Sequence, residues 1–155
     1  STQAKTLFPY TTLFRSLQKR ITHKEFSMVD ITAEKEISSE ELCNLVVKGM
    51  QEKKALDIVV MDLRGVKNAF ADFFVVCAGT SDTQIDAIAD SVDKEVWEAT
   101  RTNPKSIEGK SNREWILLDY YDVIVHVFKK DRREFYKLEE LWGDAQFTYI
   151  DDEAA

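Results

Sequence analysis

The sequence predicts an α/β (α+β) fold, a mixed sheet of about five strands with helices packed against it. Three observations predict it. Short apolar runs of strand length recur at Ile58–Leu63, Phe73–Cys77, Trp115–Leu118 and Val123–Phe128, rich in the β-branched and aromatic residues that suit a pleated surface. Around them lie stretches whose apolar residues return every three or four positions, the period of a helix with one buried face. Nothing repeats internally and nothing is low in complexity, so the elements share one layered core. A chain of 155 residues suits a single domain that buries roughly two-thirds of its unfolded surface.

Taken in order, Ser38 with Glu41 makes a capping box, in which a hydroxyl accepts one of the N–H groups left over at a helix start. Leu42, Leu45, Val46 and Met50 follow at helical spacing, and the polar Gln51–Lys54 ends the helix. Ile58–Leu63 is a buried strand, Arg64-Gly65-Val66-Lys67-Asn68 a loop, and Phe73–Cys77 the next strand. Gly79-Thr80-Ser81-Asp82 turns the chain into a second helix, capped by Ser81 with Gln84 and buried along Ile85, Ile88, Ala89, Val92 and Val96. Asn103-Pro104 closes it, because proline pushes the residue before it out of helical geometry. Lys105–Glu108 carries a weak strand signal. Trp115–Leu118 and Val123–Phe128, joined by Asp119-Tyr120-Tyr121-Asp122, read as an antiparallel hairpin. Asp131 with Glu134 opens a last helix facing inward through Phe135, Leu138 and Leu141, and the acidic stretch Asp144–Glu153 frays after Phe147 or Ile150. Strand order is not legible.

The net charge of −7 is unevenly spread. Residues 1–27 hold five bases and one acid, leaving 16 bases against 27 acids, a net of −11, in residues 28–155. The first stretch reads as a loosely packed leader, with a non-native upstream origin as the first expectation and an organellar transit peptide as the second. Residues 28–150 form the domain and 151–155 an acidic tail. An acidic body is repelled by phosphate backbones, since nucleic-acid affinity needs Lys and Arg to displace counterions. A basic protein partner is favoured instead, mainly through encounter rate. No apolar run approaches the roughly 20 residues of a membrane span. Cys43 and Cys77 lie far apart in apolar company, without CxxC or a neighbouring His. They read as buried free thiols rather than a disulfide or zinc pair, and place the chain in a reducing compartment.

Chemistry-bearing groups are few. Gly79-Thr80-Ser81-Asp82 enters a helix with exposed N–H groups that suit phosphate, but without a phosphate-loop or dinucleotide pattern a plain helix cap explains it. Nucleotidyltransferases that place Gly-Ser at such a start also need two strand carboxylates one residue apart for Mg²⁺. No strand here carries that pair, and Asp86 and Asp90 read as solvated. Asp119 and Asp122 flank the turn, where Asp usually accepts from local backbone N–H groups. His126, sharing a strand face with Ile124 and Phe128, reads as structural. Arg132-Arg133, at a helix start the dipole does not favour, has either an external partner or Glu134, Glu139 and Glu140 beside it. No catalytic residues, metal or cofactor are assigned. The hairpin turn presents large, partly polar rings where no core is expected to cover them, the kind of side chain that anchors protein contacts.

The run Lys54-Ala55-Leu56-Asp57-Ile58-Val59-Val60-Met61-Asp62-Leu63-Arg64-Gly65, the run Ala71–Asp82 reading ADFFVVCAGTSD, and WILLDYYDVIVHVF with REFYKLEELWGDA together resemble the ribosomal silencing factor family, also known as Iojap. The resemblance spans about Ser38 to Ala145. It implies a nucleotidyltransferase-like fold without the metal carboxylates, and a translation repressor that is not an enzyme. Its implied partner is ribosomal protein fourteen of the large subunit, whose occupancy blocks joining of the small subunit. It also implies a homodimer off the ribosome, in the cytoplasm, or in an organelle if residues 1–27 are a transit peptide. The family's ribosome-facing region corresponds to Trp115, Leu117, Leu118 and Tyr120, with Tyr121 as a second ring. Many members have Gly where this chain has Tyr121, so a more open turn is expected. A metal-dependent nucleotidyltransferase, motivated by Gly79–Asp82, and a generic dimeric adaptor are the competing readings. If the Trp115 ring is exposed, Trp115→Ala weakens the contact more than the fold; if it is core, truncation costs roughly 3–5 kcal/mol.

Overall fold

The structure, a computed structural model, describes residues 36–137, 140 and 142–151; the leader and the end of the tail lie outside these. The described fold lies within one unit, Lys35–Ala155. Its elements run α1 (Ser39–Glu52), β1 (Leu56–Asp62), β2 (Phe73–Gly79), α2 (Asp82–Thr100), β3 (Ser106–Glu108), β4 (Trp115–Asp119), β5 (Val123–Lys129), α3 (Lys130–Tyr136) and β6 (Gln146–Tyr149). No helix among the described residues is long and apolar enough to cross a membrane.

Both expected caps form. Ser38 Oγ accepts from Glu41 N at 3.1 Å and Ser81 Oγ from Gln84 N at 3.1 Å. The stripe Ile85, Ile88, Ala89, Val92 and Val96 is buried, together with Val46 and Met50 of α1. The second helix ends earlier than Asn103-Pro104 would require: Arg101 takes the left-handed C-cap with φ 60. The two helices run side by side at Gly49, where a Cβ would stand 2.8 Å from Val92 Cα.

Six strands form the sheet, in the order β3-β4-β5-β2-β1-β6. Only β2 and β5 pair in parallel, Phe73 opposite Val123 through Gly79 opposite Lys129; the other neighbours are antiparallel. The sheet is therefore mixed, as expected, with one strand more than the sequence suggested. The additional strand is β6, in the acidic stretch expected to fray after Phe147 or Ile150, where the sequence predicts no strand. It pairs Gln146–Tyr149 with β1 while remaining largely exposed, so backbone hydrogen bonds hold it and no hydrophobic pattern announces it. The parallel pair sits at the centre and is buried along nearly its whole length, which is why both strands read as unbroken apolar runs.

One face of the sheet packs against α1 and α2 through Phe73, Val75, Cys77, Ile116, Leu118, Val123, Val125 and Val127. The other carries an aromatic group: Trp115, His126, Phe128, Phe74 and Trp142 stack in contact. The last helix departs from expectation. It begins at Lys130, directly from β5, and Lys129 at its N-cap makes no side-chain cap, so Asp131 and Glu134 are not a capping box. Leu138, Leu141 and the side chain of Phe135 lie outside what is described.

Candidate functional site

The hairpin is closed by backbone geometry at its tip. Tyr120 N donates to Val123 O at 2.9 Å and Asp122 N to Tyr120 O at 3.0 Å. Asp119 Oδ1 accepts from Tyr121 N at 2.8 Å, the local use expected of a turn-flanking Asp. Asp122 O in turn accepts from Asp72 N and Phe73 N at 2.8 and 3.0 Å, fastening the turn to β2. Tyr121 adopts φ 71. The expectation of an opened turn is thus corrected: the turn is tight, of the strained γ kind, and a bulky residue occupies a backbone region that normally favours glycine. Hydrogen bonds on both sides hold Tyr121 there.

The expectation that the hairpin's large side chains stand exposed is also corrected. Trp115 is 6% exposed, Leu117 2%, Leu118 0% and Tyr120 4%; only Tyr121 is half-buried. The alternation of β4 sends Leu118 and Tyr120 to the helix side and Trp115 and Leu117 to the other, where both faces of the sheet are covered. The turn is short enough for the packing on either side to reach over it. Trp115 is the core case, in which truncation costs roughly 3–5 kcal/mol.

Trp115 Nε1 donates to His126 Nδ1 at 2.9 Å. An accepting Nδ1 assigns the ring proton to Nε2, and that buried atom has no hydrogen-bond partner. The ring packs edge-on to Phe74, centroids 4.7 Å apart. Burial pushes the His126 pKa down to about 3, so the ring is neutral at physiological pH and holds Trp115 in place. Across the sheet the Tyr120 hydroxyl is buried without a hydrogen-bond partner, and burial, then the Asp93 carboxylate, raise its pKa well above the phenol range.

The remaining candidates resolve as structure. The Gly79–Asp82 turn spends its polar groups on itself: Thr80 N donates to Gln84 Oε1 at 2.8 Å, and Gln84 Nε2 donates to the carbonyls of Lys53 and Lys54. Asp86 and Asp90 are not merely solvated; they pair with Arg113 at 2.8 Å and Lys110 at 2.7 Å. Arg132 reaches Glu114 at 3.4 Å and Arg133 donates to the Asp57 carbonyl, both across elements. Cys43 and Cys77 are free and buried, and burial pushes the Cys43 thiol up to about 12. A surface cleft of about 730 Å³ mixes Lys130, Arg133 and Lys137 with Asp57, Glu140 and Asp151, which leaves it no clear preference for an anion. Among the described residues no His, Cys, Asp or Glu side chains gather in a group fit to hold a metal. Among the described residues the large apolar side chains that do reach solvent are Trp97, Ile107 and Tyr149. The signal for Trp97 was present in the sequence: it falls one residue off the buried stripe of α2.

Set beside known proteins, residues 36–155 match the profile of the family described as "Ribosomal silencing factor during starvation". The chain is 42% identical over 109 residues to a protein of Halalkalibacterium halodurans named ribosomal silencing factor RsfS, spanning 70% of this chain and 92% of that one. It is 36% identical over 115 residues to the Bacillus subtilis protein of the same name, spanning 74% and 96%. A crystal structure from Chromobacterium violaceum superposes with TM-score 0.65 at 28% identity, covering 75% of this chain and 96% of that one.

Proposed function

The chain belongs to the ribosomal silencing factor family, and from that premise we propose that it represses translation by binding ribosomal protein fourteen of the large subunit and obstructing the small subunit. The match across residues 36–155, which takes in the whole described fold, is the observation that carries this reading. The net charge of −11 in residues 28–155 favours a basic ribosomal protein over bare RNA. Action by occupancy requires no turnover.

The contact surface in this proposal is the β4–β5 turn. Tyr121 is the ring that reaches solvent, and Trp115, Leu117, Leu118 and Tyr120 act from beneath it by fixing where the turn stands. Off the ribosome the protein pairs with a second copy, and it works in the cytoplasm, or in an organelle if residues 1–27 direct it there. Added to separated subunits, the protein is expected to lower the joined fraction on a sucrose gradient while co-sedimenting with the large subunit. An undiminished joined fraction overturns the reading. Consumption of nucleoside triphosphates with Mg²⁺ by the pure protein would favour the nucleotidyltransferase alternative.

A further inference from the structure

We propose that the free edge of β3, with the flank of α2 above it, is a docking site for an extended protein segment of alternating apolar and basic residues. The inference goes beyond the silencing function and requires no ribosome.

Among the described residues β3 has one strand neighbour, β4, so one side of its backbone has no strand partner. Exposed edges of this kind accept an added strand. Ile107 stands opposite Leu118 and hence on the helix-covered face, yet it is 38% exposed. Trp97 of α2 is 40% exposed. Asp86 and Asp90 on α2 reach Arg113 and Lys110 of the β3–β4 connection, and Asp93 lies near enough to the Tyr120 hydroxyl to perturb it. That side of α2 therefore looks onto β4 and the connection that leads out of β3, and Trp97 continues it one turn beyond Asp93. Arg101 lies over the indole at 5.6 Å, which helps hold the ring outward.

Charge selects the occupant. Among the described residues neither Asp93 nor Glu108 forms an ion pair; each carboxyl is raised by burial first and then by a neighbouring acid, Asp90 and Asp119 respectively, with Lys110 offsetting part of the rise at Asp93. Glu108 and Ser106 point to the face opposite Ile107, by the alternation of a strand. An added strand would set an apolar side chain beside Ile107 and Trp97 and a basic one beside Glu108. Lys105, 5.9 Å above the Tyr121 ring, disfavours a base at the Ser106 end and so selects the register. A second copy fits poorly: pairing β3 with itself about Ile107 crowds two Glu108 and two Asp119 carboxylates onto one face, and like charges across strands repel.

The test uses the full chain and three synthetic peptides of about nine residues: alternating Lys-Val, alternating Glu-Val, and Lys-Val with alternate N-methylated amides that cannot pair as a strand. The Lys-Val peptide is expected to bind, to slow amide exchange at Ser106–Glu108, and to shift tryptophan emission in the parent but not in Trp97→Phe. Glu108→Lys is expected to weaken binding about tenfold or more, and Ile107→Lys to remove it. Ile107 is exposed and Glu108 half-buried, and circular dichroism verifies folding of both variants. The proposal is overturned if no Lys-Val binding is seen, if the acidic or N-methylated peptide binds equally well, or if protection falls on β6 instead. It is overturned equally by concentration-dependent self-association that Ile107→Lys abolishes, which would make the occupant a second copy.

Discussion

Tyr121 carries the clearest local conflict between sequence and backbone. A tyrosine at φ 71 pays for a left-handed conformation that costs about 1 kcal/mol or more for a residue with a Cβ. Tyr121→Gly is expected to raise stability by roughly 0.5–1 kcal/mol, whereas Tyr121→Ala keeps the strain, loses the ring, and falls below the parent. Urea unfolding of the two variants separates relief of strain from loss of contact. His126 yields a prediction with a definite sign. Its folded pKa, about 3, lies below the unfolded value near 6.5. The stability of its neutral form is therefore complete above pH 6.5 and is lost as pH falls toward 3, by about 1.4 kcal/mol per pH unit. His126→Gln keeps an acceptor for the Trp115 indole and takes no proton. It is expected to start less stable at pH 7 but to decline less between pH 6.5 and 5. Asp93 and Glu108, raised by burial, tilt the opposite way in both proteins, so the difference between them is the quantity to measure.

At the scale of elements, the capping boxes and the stripe of α2 were readable because each depends on neighbours within a few residues. The boundaries that shifted depend on more distant contacts. β5 runs without interruption into α3, and β6 exists because β1 offers it a backbone edge. The contact between α1 and α2 rests on Gly49, whose missing Cβ admits Val92 Cα to 2.8 Å and Ser91 O to 3.1 Å of that position; the Ser91 hydroxyl donates to Gly49 O at 2.8 Å. Gly49→Ala improves helix propensity by up to about 1 kcal/mol, yet overpacking backbone against backbone typically costs 1–3 kcal/mol. The variant is expected to be less stable, by about 1–2 kcal/mol, in thermal or chemical unfolding. A variant more stable than the parent would mean that the helices part easily.

Over the whole molecule, charge matters more for association than for stability. Pairs such as Lys110–Asp90 and Lys129–Asp82 are substantially exposed, and exposed pairs contribute little individually. In the proposed function the surplus of acids acts collectively, by steering a basic partner. Association with the large subunit is expected to slow about tenfold between low and physiological salt while dissociation changes less, in stopped-flow measurements. A salt-independent association rate would mean that contact is governed by apolar fit alone.

The sequence by itself determined the fold class, the order of the elements up to α3, the two caps and the membership that the comparisons bear out, because each is written in local periodicity or in contiguous motifs. Only the tertiary structure decided strand order, the sixth strand and the environment of the hairpin. Whether an aromatic ring at a turn meets water depends on what distant segments lay over it, and nothing within a few residues of Trp115 or Tyr120 encodes that cover. Burial is a property of the assembled layers, whereas periodicity belongs to the chain.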